Sequence, residues 1–221
     1  MEEKRHWDDV YSRRSPEQAS WYQPHLERSL RFIEDAQLSP DAAILDVGGG
    51  ASTLVDDLLD RGFRDVTVLD VSARAIASAQ DRLGARASLV HWLQADITTV
   101  RLEERRVDFW HDRAVFHFLV EPEARRRYVA AVRHALRPNG HIMVATFGPG
   151  GPEKCSGLDV VRYGPDGLHG EFGPAFQKVS SCSETHTTPW GVEQEFVYCY
   201  CRLPGDASPS DARQGRPRDV T

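Results

Sequence analysis

The chain has 221 residues, 40% of them hydrophobic, enough to bury the core of one sizeable domain. With 27 Lys and Arg against 33 Asp and Glu its formal net charge is −6, which disfavours nucleic acid and anionic membranes as partners. No apolar run approaches the ~18 residues of a membrane-spanning helix, and the polar start "MEEKRHWDDVYSRRS" lacks the apolar core of a secretion signal, so a cytoplasmic location is expected.

Residues 5 to 35 read as two helices joined by the loop "SPEQASWYQP"; Leu30, Ile33 and Leu38 keep a helical rhythm in the second. From residue 43 strands and helices alternate. "AILDV" is a short apolar strand ended by glycines. "STLVDDLLDRG" is a helix with Leu54, Val55, Leu58 and Leu59 on one stripe, Ser52 as N-cap and Gly62 as its stop. "VTVLD", the helix "SARAIASAQDRLG", and the strands "SLVHWLQAD" and "VDFWHDRA" follow. "EPEARRRYVAAVRHALRPNG" is a helix with Tyr128, Val129, Val132 and Leu136 inward and Pro138, Asn139 and Gly140 as its stop; Arg125 to Arg127 read as a solvated face. "HIMVATF" is the fifth strand, and "GPGGPEKCSGLDVVRYGPDG" reads as a long loop.

The end of the chain differs. "FQKVSSCSETHTTP" and "EQEFVYCYCRL" are strand-like and are joined through "WG", an antiparallel pair closing the sheet. The expected architecture is α/β: a Rossmann-like, seven-stranded, mostly parallel sheet with a C-terminal antiparallel pair and helices on both faces. Residues 1–203 form the domain, with 1–39 as a helical lid, and residues 204–221 read as a disordered tail because so few are apolar. Cys155, Cys182, Cys199 and Cys201 match no zinc spacing, no metal ligand set is visible, and Cys199 and Cys201 share one strand face as inert thiols. Stoichiometry is not readable from the sequence.

The chemistry gathers at the strand ends. "LDVGGGAST" places Gly48 and Gly50 as a G-x-G turn before a helix, but Thr53 stands where a dinucleotide fingerprint has its third glycine. Asp46, Asp70, Asp96 and Asp112 sit at the ends of four successive strands, on the edge where open α/β sheets bind ligands. Asp70 suits two ribose hydroxyls and Asp96 the exocyclic amine of adenine. Asp46 suits a cationic amine or fixes the glycine turn.

These segments resemble the class I S-adenosylmethionine-dependent methyltransferases. "LDVGGGAS" is similar to that superfamily's first motif, "VTVLDVS" to its ribose-binding strand, "LQADI" to its adenine motif and "LRPNGHIMVATF" to the approach to its fifth strand. The resemblance covers about residues 40 to 148 and specifies no acceptor. It implies S-adenosyl-L-methionine as cofactor, held by Asp46, Gly48, Gly49, Gly50, Ser52, Asp70, Val71, Asp96 and Ile97. The methyl group is already activated, so alignment and exclusion of water supply much of the rate. A nicotinamide-dependent oxidoreductase is disfavoured by Thr53 and the missing second domain, and a non-catalytic donor-binding module is the further alternative.

For the acceptor, Trp7, Tyr11, Trp21 and Tyr22 form an aromatic set that either packs on the first strands or closes over the sulfonium through ring faces. This opening resembles those of two methyltransferase groups, the elongation-factor lysine type and the thiopurine and thiol type. "WHDRAVFHFL" is similar to the thiol type's W-D-R-G-A-L, with Asp112 and Arg113 matching, Ala114 replacing Gly and His111 inserted. The lysine type carries a later Asp where this chain has His117. Asp112, Arg113 and His117 are therefore the expected catalytic set, with His117 either a base or a packing residue. Cys155 and Tyr163 are the expected substrate-side residues, and His186 and Trp190 either border the pocket or cap a hairpin. The expected function is methyl transfer to a small nucleophile, a thiol or chalcogen, with a protein lysine as the alternative.

Overall fold

Five parallel strands make the body of the sheet, the central ones mostly buried on both faces and the edge strand partly exposed. The computed structural model describes residues 2–13 and 15–205. Helix α1 (Glu2–Arg13) and α2 (Glu27–Asp35) come first, with a 3-10 turn at Pro16–Gln18 between them. Then follow β1 (Ala43–Val47), α3 (Leu54–Asp60), β2 (Asp65–Asp70), α4 (Ala73–Leu83), β3 (Val90–Gln94), β4 (Val107–Arg113), α5 (Pro122–Ala135) and β5 (Leu136–Phe147). A short ribbon, β6 (Lys154–Cys155) with β7 (Leu158–Asp159), and α6 (Pro165–Phe172) precede the hairpin β8 (Gln177–Thr187) and β9 (Glu193–Arg202).

The seven-stranded sheet runs β3-β2-β1-β4-β5-β9-β8. β9 lies antiparallel to β5, and β8 antiparallel to β9. The expected α/β architecture with its terminal antiparallel pair is therefore present. Strand order reverses between β1 and β4, which opens a crevice at their C-terminal ends.

Strand parity separates two cores. Ile44, Val66, Phe109 and Tyr198 face α2 and α3 through Leu30, Ile33, Val55 and Leu58. Leu45, Leu69, Trp110 and Val144 face α5 and α6 through Tyr128, Val132, Leu168 and Phe172. Period-2 alternation in each strand sends neighbours to opposite cores.

Several boundaries differ from the sequence reading. α3 starts at Leu54, one residue later than a Ser52 cap requires; Ser52 Oγ still accepts the Leu54 amide at 3.1 Å. Ser72 does cap α4, accepting from the Ala75 amide. α5 stops at Ala135, and residues 136–140 already belong to β5, because the amides of Arg105 and Arg106 take the helix-end carbonyls of His134 and Ala135. The expected loop after β5 runs at its end into α6, whose Gly167 and Gly170 mask a helical pair, Leu168 and Phe172, buried four residues apart. Leu203 still bonds to Asn139 and Gly140, and the Gly205 amide to Asn139 Oδ1, so the chain stays tied to the sheet through the first two residues of the expected tail. The rest of that tail, 206–221, lies outside the described residues. No helix among the described residues is long and apolar enough to cross a membrane.

Candidate functional site

The turn after β1 is built around backbone that only glycine tolerates well. Gly48 has φ +72°, and a Cβ there would stand 2.1 Å from Val115 Cγ2. Its amide donates to the Leu69 carbonyl at 2.7 Å, locking the turn to β2. The Gly50 amide donates to Asp70 Oδ2 at 3.0 Å, and the Ser72 amide to Asp70 Oδ1 at 2.8 Å. Asp70 is buried at the end of β2; burial outweighs both bonds and lifts its carboxyl to about 6. After β3, Asp96 Oδ1 accepts from the amide and hydroxyl of Thr98, each at 2.7 Å.

Asp46, Gly48, Gly49, Ser52, Asp70, Val71, Asp96 and Ile97 line one cleft of about 350 Å³, within the ~300–1,000 Å³ of small-molecule sites. Gly50 acts one step back, through its bond to Asp70. Asp46 is buried, and its Oδ2 has no hydrogen-bond partner among the described residues.

The N-terminal segment roofs this cleft. Trp7 of α1 packs edge-on against Phe118 at 5.1 Å and Trp21 at 5.9 Å between ring centroids, and Tyr11 lies 6.3 Å from Trp21. Three side chains pin three roof carbonyls: His186 Nε2 donates to Ser20 at 2.7 Å, Arg113 Nη1 to Trp21 at 2.8 Å and Thr53 Oγ1 to Gln23 at 2.8 Å. α1 is held to the start of α4 by the Ser72 hydroxyl, which donates to Asp8 Oδ1 at 2.7 Å. Tyr11 is enclosed enough that burial first, then the charge of Asp70, pushes its phenol well above the usual range. Cys155, on the ribbon, lines the same cleft, and burial raises its thiol to about 11. That thiol is protonated and unreactive at neutral pH.

Arg113, the last residue of β4, also lines the cleft. Its guanidinium stands 4.7 Å over the Phe196 ring, and Nε donates to the Tyr198 hydroxyl at 3.3 Å. Nη2 is buried and has no hydrogen-bond partner among the described residues.

Three expected site residues do not reach the cleft. Asp112 points to the opposite face of β4 from Arg113, where it accepts from the Tyr128 hydroxyl at 2.6 Å and from the amides of Val115 and Phe116. Strand parity gives the physical reason: adjacent residues of one strand cannot share a face. His117 is fully buried, with its ring 4.6 Å from Phe147, and its Nδ1 accepts the Phe147 amide at 3.3 Å. Burial, with the charge of Arg113 second, lowers it to about 3, so it is a neutral packing residue. Tyr163 packs against Phe116, and its hydroxyl donates to Glu171 Oε1 at 3.2 Å, away from the cleft. Trp190 is exposed on the β8–β9 turn, whereas His186 is buried beneath the roof. The sequence reading missed His111, which lines the cleft and bonds to Asp46. Its signal was available: two residues before Arg113 in an alternating strand, it must share that residue's face.

Residues 44–140 match the family described as Methyltransferase domain. EEF1A lysine methyltransferase 2 of Danio rerio is 26% identical over 157 residues, 65% of this chain and 67% of that protein. Relatives named eEF1A lysine and N-terminal methyltransferase, from Drosophila melanogaster and Bos taurus, are matched over only 21% and 20% of their length. Among solved structures, one described as "Conversion of a Disulfide Bond into a Thioacetal Group during Echinomycin Biosynthesis" superposes with a TM-score of 0.75 at 20% identity, covering 95% of both chains. The Burkholderia thailandensis 1,6-didemethyltoxoflavin-N1-methyltransferase, solved with S-adenosylhomocysteine, gives 0.64 at 20% identity over 92% of this chain and 84% of that one. These structural likenesses are of fold. The residues here suit the same donor: a glycine turn that side chains would block, a buried acid closing β2, and a buried Asp46 oxygen without a hydrogen-bond partner among the described residues. The domain match over residues 44–140, the strand order and the cleft together support a class I S-adenosylmethionine-dependent methyltransferase, with S-adenosyl-L-methionine as its cofactor.

Proposed function

We propose that the acceptor is a small thiol, which attacks the donor's methyl group as its thiolate. The observation that carries this reading is the guanidinium of Arg113. Among the described residues it is the only Lys or Arg lining the cleft, and its buried Nη2 has no hydrogen-bond partner among them. A cation in such a position draws in an anionic nucleophile, lowers the pKa of a bound thiol and repels an ammonium. The rings of Trp7, Tyr11, Trp21 and Phe118 exclude water and offer faces to a sulfonium. Asp70 is assigned to the ribose, Asp96 and Ile97 to adenine, Asp46 and the Gly48–Gly50 turn to the amino-acid end, and Cys155 to the acceptor wall. S-adenosylmethionine supplies an activated methyl: its S–CH3 bond breaks as the acceptor sulfur forms its own, giving a thioether and S-adenosylhomocysteine, after the thiol proton has left to solvent. No general base is required of the chain once the acceptor is ionised.

A protein lysine is the second reading, supported by what the relatives named above are called. The deciding experiment follows S-adenosylhomocysteine release with small thiols, sulfide, amines and protein extracts offered separately. Turnover with small thiols, reduced about a hundredfold in kcat/KM by Arg113→Met, is the expected result, the size expected for losing a buried charged contact. Turnover with protein alone would overturn the thiol reading in favour of lysine. Tight donor binding without release for any acceptor would point to a non-catalytic module.

A further inference from the structure

His111 has no part in the transfer step described above, yet it is a buried imidazole bonded on both sides. β4 runs parallel to β1 with His111 in register with Asp46, so both side chains leave the same face of the sheet. His111 Nδ1 lies 2.6 Å from Asp46 Oδ1, and Nε2 lies 2.9 Å from Ser29 Oγ on α2. All three residues are buried. A carboxylate can only accept, so Nδ1 carries the hydrogen and donates to Asp46; in the neutral ring Nε2 then accepts from the Ser29 hydroxyl. Only one oxygen of Asp46 is engaged in this way. The other, Oδ2, has no partner among the described residues. Oδ2 packs close against Gly49, where a Cβ would stand 2.1 Å from it, so any side chain at 49 would displace the carboxylate.

We infer that Ser29 and His111 form a positioning relay that fixes the rotation of Asp46 and aims Oδ2, beside Gly49 on the cleft wall, at the ammonium of the donor's amino-acid end. The inference rests on the assignment of Asp46 to that end. The physical need is plain: the terminal torsion of an aspartate is broad, and a carboxylate left to rotate loses part of its directional bond to a cation. Preorganising it through a buried imidazole moves that ordering cost from binding to folding. His111 is thus a positioning residue, acting through Asp46.

The test compares two ligands by calorimetric titration: S-adenosylhomocysteine and an analogue lacking only the α-amino group. The wild-type protein should prefer the first. His111→Phe should lose that preference by about tenfold or more, the size of one charge-assisted hydrogen bond, while binding the deamino analogue as before. His111→Asn, whose amide N–H falls near the Nδ1 position, should retain most of the preference, and Ser29→Ala should fall between. If the Phe variant does not fold, His111→Gln replaces it, because its amide reaches the Nε2 position instead. Equal weakening of both ligands in the His111 variants would make the imidazole a packing residue only and overturn the relay. A wild-type protein indifferent to the amino group would instead remove the assignment of Asp46 on which the relay rests.

Discussion

Replacing Asp112 by Asn isolates the cost of one buried carboxylate. The group accepts from the Val115 amide at 2.9 Å, the Phe116 amide at 3.1 Å and the Tyr128 hydroxyl at 2.6 Å, yet burial outweighs these bonds and lifts it from 3.8 to about 6. A raised native value means that the folded protein holds the proton more tightly than the unfolded chain does. The associated stability is fully present below about pH 3.8 and is lost as pH rises through about 6. In full the loss amounts to about 3 kcal/mol at about 1.4 kcal/mol per tenfold, and about 2 kcal/mol of it falls between about pH 4.5 and about pH 7.5. Asn is neutral throughout, and whatever its rearranged hydrogen bonds cost is the same at both pH values. Urea unfolding of both proteins should therefore show Asp112→Asn gaining about 2 kcal/mol on the wild type across that interval. An identical stability difference at both pH values would refute the reasoning. Because Asp112 is turned from the cleft, donor affinity should not change; a large loss of affinity in a stable variant would return it to the site.

Asp70 shares the rise to about 6, again chiefly through burial. Protonation removes an acceptor from the ribose, so affinity for S-adenosylhomocysteine should fall as pH drops through about 6, and Asp70→Asn should bind more weakly by about 2 kcal/mol with that pH dependence gone. Affinity that is flat with pH in the wild type would contradict this. Gly48→Ala should cost about 2–4 kcal/mol in urea unfolding, from its φ of +72° and the 2.1 Å approach to Val115; an unchanged midpoint would contradict the strain argument. Arg113→Lys keeps the charge but has no planar fork to serve Trp21, Tyr198 and Phe196 together. It should lower thiol kcat/KM by about tenfold or more, as expected for a lost charged hydrogen bond, with donor affinity changed less; wild-type turnover would refute the role.

The sheet was legible because each strand announces itself by an apolar run and each helix by a cap and a stripe. Ser72 before α4 and Gly62 after α3 show this locally. The gathering of Asp46, Asp70 and Asp96 along one cleft was legible for the same reason, because strand ends are local features. Failures arose where face or distance decides. Asp112 and Arg113 are neighbours in sequence but opposite in the sheet, so a motif spanning both could not assign both to one pocket. His117 follows β4 closely, but its burial against Phe147 is set by a strand thirty residues away. α6 was hidden because glycines dilute its helical pattern, although tertiary burial of Leu168 and Phe172 overrides their low propensity.

The two ends of the cleft are built by different means, and this bears on what can vary. At the end assigned to the donor, the amides of Gly50 and Ser72 fix Asp70 and the Gly48 amide ties β1 to β2, while Asp46 is held by the side chain of His111 with Ser29 behind it. Backbone groups survive most substitutions. The end we propose for the acceptor depends on side chains from three separate stretches: the Trp21–Gln23 roof, Arg113 with Phe118, and Cys155 on the ribbon. The roof there is tied to the sheet edge mainly through Thr53, Arg113 and His186. Arg113 belongs to both arrangements, bonding the roof with Nη1 while Nη2 stays without a partner among the described residues. An acceptor anion meeting Nη2 would therefore share its cation with the Trp21 carbonyl, and roof position and acceptor binding become linked through one rigid guanidinium. Changing the acceptor then requires altering the residue that also holds the roof, whereas the donor site can remain as it is.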